Sequence, residues 1–192
     1  MAKSVLSNTQ RILVIGGSAG SLHIMLRILG NIRPDFGMPV VIVLHRKNDS
    51  ESSLAELMAY KSRIPVKEAD DKDPIEAGKA YIAPADYHLL IENEKHFSLD
   101  SSEKINFSRP SIDFTFQTAA EAYGAGTTGI LLSGANADGV EGLIAIQGVN
   151  GTTIAQDPST AQVPFMPKSA IQSLKVDHIF DVDQMIEYIN QL

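Results

Sequence analysis

Three polar side chains stand in the turns or loops behind short apolar runs in this 192-residue chain, and their types are those of acyl-transfer chemistry. Ser18 follows the run Ile12 to Ile15, His45 follows Val40 to Leu44, and Asp138 lies in the loop after Gly129 to Ser133. A serine hydroxyl is a weak nucleophile until a base takes its proton, and histidine, with a reference pKa of about 6.5, suits that role. A carboxylate on the other ring nitrogen fixes the tautomer and stabilises the imidazolium as it forms. Each residue also has a plainer reading. Ser18 is a capping serine in a glycine-rich turn, His45 ends a strand for packing reasons, and Asp138, followed by Gly139, is an ordinary helix cap. The conjunction favours the chemical reading, because all three fall at the carboxyl ends of different strands, where open parallel sheets bind their ligands.

The segment Gly16, Gly17, Ser18, Ala19, Gly20 matches G-x-S-x-G, a sharp strand-to-helix turn that presents a serine oxygen. The helix N-terminus beneath such a turn favours developing negative charge. A dinucleotide fingerprint fits worse: it needs glycine where Ser18 and Ser21 stand, and an acid where the second strand ends in His45. His23, His88, His96 and His178 read as structural or solvated, and no pair has the spacing of metal ligands. Arg109, just ahead of an expected helix, either binds a substrate acid or is a solvated loop arginine. Phe165, Met166 and Pro167 form an apolar wall beside the site or fill the core.

The elements that must position these groups alternate short apolar runs with segments of helical period, the pattern of an α/β fold with a doubly wound, mainly parallel sheet. Strands are expected at Ile12 to Ile15, Val40 to Leu44, Gly129 to Ser133 and Thr152 to Ala155. Helices are expected at Leu22 to Leu29, stopped by Gly30, from a capping box at Ser53 to about Lys61, and from Ser111 to Tyr123. Further helices are expected to about Gln147, near Ser169 to Leu174, and over Gln184 to Leu192 behind Asp183 as cap. Between Val66 and Asp100 the texture changes to short strands, Tyr81 to Ala83, Tyr87 to Ile91 and His96 to Leu99, with Glu92 to Lys95 as a polar turn. An antiparallel hairpin is expected there.

Composition narrows the classes. With 44% apolar and 20% charged residues the chain reads as one globular domain, Arg11 to Leu192 behind a tail of ten residues, burying roughly 70% of its unfolded surface. No cysteine is present, which excludes a disulfide framework and thiolate chemistry. A net charge of −7, from 16 basic and 23 acidic residues, argues against nucleic acid as a partner. The apolar runs fall far short of the ~20 residues that cross a bilayer, and the first ten residues lack the core of a secretory signal. The expectation is a cytoplasmic protein that does not insert into membranes.

With those residues in place, the chain resembles the catalytic domain of the chemotaxis receptor methylesterases, the CheB family. The resemblance rests on GGSAGS, VIVLH, VKEADDKDPIEAGKAYIAPADYHL, SRPSIDFTF, LLSGANADG and AQDPSTAQVPFMPKSAI, and extends from about Arg11 to the C-terminus. It implies a Rossmann-like three-layer sandwich and a triad of Ser18, His45 and Asp138 that works without cofactor or metal. The implied reaction is hydrolysis of glutamate methyl esters on the cytoplasmic helices of chemoreceptors, with deamidation of receptor glutamines as a second activity. The amides of Ala19 and Ala135 are the candidate oxyanion donors. Three residues depart from the family's pattern: Ala19 brings no hydroxyl, Ser21 replaces a glycine, and Asn136 replaces another. Family members usually carry a receiver domain ahead of this one, so regulation by a separate receiver protein is an expectation here. The rival readings are a non-catalytic signalling or binding module with the same fold, and a small-molecule carboxylesterase.

Overall fold

The computed structural model describes residues 10–46, 54–105 and 108–192. Nine strands and six α-helices follow one another as β1 (Ile12–Gly17), α1 (Leu22–Asn31), β2 (Val40–Leu44), α2 (Leu54–Lys61), β3 (Val66–Glu68), β4 (Ala80–Ile82), β5 (His88–Ile91), β6 (Phe97–Asp100), α3 (Ile112–Tyr123), β7 (Thr127–Leu131), α4 (Val140–Gly148), β8 (Thr152–Gln156), α5 (Phe165–Ser173), β9 (His178–Phe180) and α6 (Val182–Gln191) among the described residues. Seven strands form one parallel sheet in the order β3-β4-β2-β1-β7-β8-β9, and β5 and β6 form a separate antiparallel hairpin. This is the doubly wound α/β fold that the apolar runs imply.

Alternation along the buried strands sorts the core into two faces, because successive strand side chains point to opposite sides. Leu13 and Ile15 of β1 pack with Ile24, Met25 and Ile28 of α1, Met58 of α2 and Met185 of α6. Ile12 and Val14 pack instead with Ile112 and Phe116 of α3, Leu143 of α4, Met166 of α5 and Leu89 of the hairpin. Both faces are covered, so strands such as β2, VVIVL, are apolar at every position. The hairpin is fastened to α3 by that helix's threonines: Thr115 Oγ1 donates to the Leu89 carbonyl at 2.7 Å, and the Ile91 amide donates to Thr118 Oγ1 at 3.1 Å.

Several boundaries differ from the sequence expectation. Helix α1 runs through Gly30 to Asn31, where a stop was expected, because Gly30 keeps helical geometry and lies close to the Lys61 carbonyl at the end of α2. Helix α6 is capped by Asp181 rather than Asp183. The Asp181 carboxylate accepts the Gln184 amide while the Gln184 side chain accepts the Asp181 amide, and this reciprocal box fixes the start two residues earlier. Helix α5 begins at Phe165, four residues before the expected start. Strand β7 begins at Thr127, ahead of Gly129. Ser53, expected to open a capping box, lies outside the described residues.

Candidate active site

Strand β1 is the point at which the strand order reverses, with β2 on one side and β7 on the other, and loops leaving such neighbours diverge to open a crevice. Ser18 leaves β1 at that point, His45 leaves β2, and Asp138 lies in the loop between β7 and α4. The three residues singled out from sequence are therefore brought to one edge of the sheet. Ser18 is half-buried. Its amide donates to the Ser133 carbonyl at 2.9 Å, and its carbonyl accepts the Ser21 amide at 3.1 Å and the Ser21 hydroxyl at 2.7 Å. Ser21 thus clasps the turn from a fully buried position, which gives this departure from the family pattern a structural role. Among the described residues the Ser18 hydroxyl itself has no hydrogen-bond partner.

His45 continues the ladder, its amide donating to the Gly17 carbonyl at 3.1 Å. Its Nε2 lies 2.7 Å from Asp138 Oδ2, and its Nδ1 lies 3.2 Å from the Ser108 hydroxyl. With Asp138 ionised, Nε2 carries the proton, and Nδ1 is left as the acceptor nitrogen. Asp138 is wholly buried and accepts three further hydrogen bonds, from the Ile112 amide at 2.7 Å and from the Asp113 amide and Ser111 hydroxyl at 3.0 Å each. The plainer reading, in which Asp138 caps its own helix, does not hold, since α4 has no side-chain cap. It sits on the N-terminus of α3, whose exposed amides and positive dipole end suit a carboxylate. Burial works to raise the Asp138 carboxyl, but the hydrogen bonds from His45, Ile112 and Asp113 outweigh it and hold the group below the ordinary value of 3.8. Asp113 goes the other way, pushed up to about 7, first by burial and then by the charge on Asp138.

The loops around Ser18 are tied together by Ser133, which is fully buried. Its hydroxyl donates to the Ala19 carbonyl at 2.7 Å and accepts the Val163 amide at 2.9 Å, while its own amide donates to Gln156 Oε1 at 3.0 Å. Gly134 follows, and a Cβ there would lie 2.4 Å from Met166 Cε and 3.1 Å from Ser18 Cβ, so a side chain here would displace Met166 and crowd the serine turn. Ala19 and Ala135 are exposed, and among the described residues neither amide donates a hydrogen bond. Two unpaired amides flanking the serine loops are what an oxyanion site offers before substrate arrives.

The remaining candidates separate. Arg109 Nη1 donates to the carbonyls of Ser101 at 2.8 Å and Ser102 at 2.7 Å, so this guanidinium clamps its own loop. Met166 is fully buried against Gly134, with its amide donating to the Gly134 carbonyl at 3.0 Å, whereas Phe165 is 54% exposed at the start of α5. Asn136 accepts the Asp138 amide on Oδ1 at 3.1 Å and donates from Nδ2 to the Ser108 hydroxyl at 3.4 Å. Sequence reasoning did not single out Ser108, Ser133 or Asp113. His88, read as structural or solvated, is fully buried: Nδ1 accepts the Ser111 amide at 3.1 Å and Nε2 donates to the Glu103 carbonyl at 2.9 Å. It thereby holds the start of α3, on which Asp138 rests.

Known proteins resemble this chain over nearly its whole length. The CheB methylesterase family profile matches residues 13–189. A Leptospira interrogans protein, provisionally named protein-glutamate methylesterase/protein-glutamine glutaminase, is 42% identical over 180 residues, covering 94% of this chain and 93% of its own. The protein-glutamate methylesterase/protein-glutamine glutaminase of Thermotoga maritima is 36% identical over 185 residues, and those residues span 54% of its length. The crystal structure of the Thermotoga maritima CheB methylesterase catalytic domain superposes with a TM-score of 0.91 at 36% identity, covering 97% of this chain and 99% of that one. The chain belongs to the CheB methylesterase family.

Proposed function

We propose that this protein is a protein-glutamate methylesterase that hydrolyses glutamate γ-methyl esters on the cytoplasmic helices of chemoreceptors and deamidates receptor glutamines at the same site. The observation that carries the reading is the 2.7 Å pair between His45 Nε2 and the buried Asp138, which leaves Nδ1 as the accepting nitrogen, facing the Ser108 hydroxyl. In the handed-down arrangement of serine hydrolases the carboxylate takes Nδ1 and Nε2 is the base. Here the two nitrogens exchange roles. Ser18 Oγ attacks the ester carbonyl as its proton passes to Nδ1, and the carbonyl oxygen takes the negative charge under the amides of Ala19 and Ala135. Collapse of that intermediate expels methanol, which leaves with the proton from Nδ1. Water then attacks the acyl-enzyme with Nδ1 again as base, the proton passes from Nδ1 to Ser18 Oγ as the acyl bond breaks, and a glutamate carboxylate departs. For a glutamine substrate the leaving group is ammonia and the product is the same.

Engaging the base requires Nδ1 to exchange the Ser108 hydroxyl for that of Ser18. A neutral hydrogen bond is worth about 0.5–1.5 kcal/mol net, so this exchange is a small part of the barrier. Phe165 offers an exposed apolar ring beside the site for a receptor helix. Arg109, committed to its own loop through Nη1, contributes to substrate capture by shaping that loop. The test is methanol release from methylated receptor membranes. Ser18→Ala is expected to keep its circular dichroism and lose nearly all turnover, because no other side chain in the turn forms the ester intermediate. Substantial turnover in that variant removes the nucleophile assignment. Faster cleavage of free glutamate γ-methyl ester than of methylated receptor by the unmodified protein removes the substrate assignment.

A further inference from the structure

Asp113 is 5% exposed and is bound into the frame of the site from both sides. Its amide, in the first turn of α3, donates to Asp138 Oδ1 at 3.0 Å. Its own Oδ1 accepts the amides of Gly139 and Gly142, each at 2.8 Å, and these are donors from the first turn of α4. The two helices therefore exchange carboxylates: the acid that leads into α4 rests on the N-terminus of α3, and an acid of α3 rests on the N-terminus of α4. Helix α4 has no side-chain cap of its own, since its N-cap is Gly139. Without Asp113 the amides of Gly139 and Gly142 would be buried without this partner, a cost of about 1–3 kcal/mol for each such group. The close approach that makes this exchange possible is built in. A Cβ at Gly142 would lie 2.4 Å from Phe116 Cβ and 3.2 Å from Asp113 Cα.

We propose that Asp113 is a positioning residue for this reaction, holding the start of α4 against α3 so that Asp138 meets His45 Nε2 at hydrogen-bond distance. The inference rests on the methylesterase reading for its rate measurements, but its geometric part does not. What Asp113 must supply is an acceptor for two amides, which fixes the position of the Asp138 backbone between Gly139 and the loop. A shift of about 1 Å at a group that orients the base is enough to cost on the order of 10²-fold in rate. Substrate contacts lie elsewhere, so the loss belongs in kcat.

Three variants separate positioning from mere stability, read by kcat and KM for methylated receptor and by the low-field proton NMR signal of the His45 Nε2 hydrogen bond. Asp113→Ala, or Asp113→Ser if the alanine variant does not fold, removes the double acceptor. Either is expected to lower kcat by about 10–100-fold with KM within about twofold, and to shift or abolish the low-field signal. Asp113→Asn keeps one oxygen for both amides and is expected to retain kcat within about threefold, with the Nε2 signal in place. A folded alanine or serine variant with normal kcat and a normal signal overturns the proposal. So does an asparagine variant that keeps the amide resonances of Gly139 and Gly142 but loses more than about tenfold in kcat, since charge rather than position would then be what matters. The NMR signal is present whatever the substrate, so an unmodified protein that shows it but releases no methanol indicts the methylesterase reading and leaves this proposal standing.

Discussion

The Asp138 carboxylate accepts from His45 Nε2, the amides of Ile112 and Asp113 and the Ser111 hydroxyl, and the Asp113 carboxyl lies against it. An amide side chain offers one accepting oxygen and turns an NH2 group toward the remaining donors, so Asp138→Asn cannot satisfy this pocket. The imidazole would be left without its orienter or would flip to the other tautomer. Asp138→Asn is expected to lower kcat by on the order of 10² or more, and methanol release measured beside the melting temperature checks it. A lower melting temperature with unchanged kcat would reduce Asp138 to a capping residue of α3. Ser18, His45 and Asp138 are legible in the chain because each lies in the turn or loop that leaves an apolar run readable as a buried strand. Ser108 and Asp113 are not legible that way. Ser108 meets His45 across 63 positions, and Asp113 meets Gly139 across 26, and nothing in local spacing marks either contact.

The same division holds for the elements. Strand β2 and helix α3 could be placed closely, since an unbroken apolar run and a capping serine with glycine behind the last turn are local signals. Strand β3 carries only Val66, Lys67 and Glu68 at the sheet edge, too short and too polar to announce itself, and it exists because β4 offers it an unpaired edge. Helix α4 is the instructive element, because its Gly142 breaks the usual preference. Replacing an interior helical glycine by alanine should gain about 1 kcal/mol from backbone propensity. At Gly142 the added methyl would meet Phe116 Cβ and the α3 backbone, and overpacking of this kind costs typically about 1–3 kcal/mol. The clash wins. Gly142→Ala is expected to lower the melting temperature and to reduce kcat with little change in KM, because separating α4 from α3 draws Asp138 from His45. A calorimetric scan with steady-state kinetics checks both, and a more stable variant with normal kcat would mean that the helices are not in tight contact there.

At the scale of the whole molecule, the two carboxyls buried between α3 and α4 make folding stability depend on pH in opposite senses. Asp113 has its folded value raised to about 7 from 3.8, by burial first and the Asp138 charge second, so the folded protein holds this proton more tightly than the unfolded chain does. The stability it contributes is complete below about 3.8 and is lost as pH rises through about 7. Asp138 is held below 3.8, so its contribution is present above that value and is lost as pH falls through the lowered one. Between these limits the charge state of Asp113 is what varies within this pair. Asp113→Asn resembles the protonated acid in shape and keeps an acceptor for Gly139 and Gly142, but it cannot ionise. Its lead in melting temperature over the unmodified protein is therefore expected to be small at pH 5 and larger at pH 8. Each kcal/mol of difference corresponds to about 2–4 °C in a chain of this size. Calorimetric scans of both proteins at the two pH values isolate the group, because every other ionisable residue is common to them. An equal difference at pH 5 and pH 8 would mean that Asp113 is already ionised at the lower pH, and that the amides of α4 together with the α3 backbone compensate its charge fully despite Asp138 beside it.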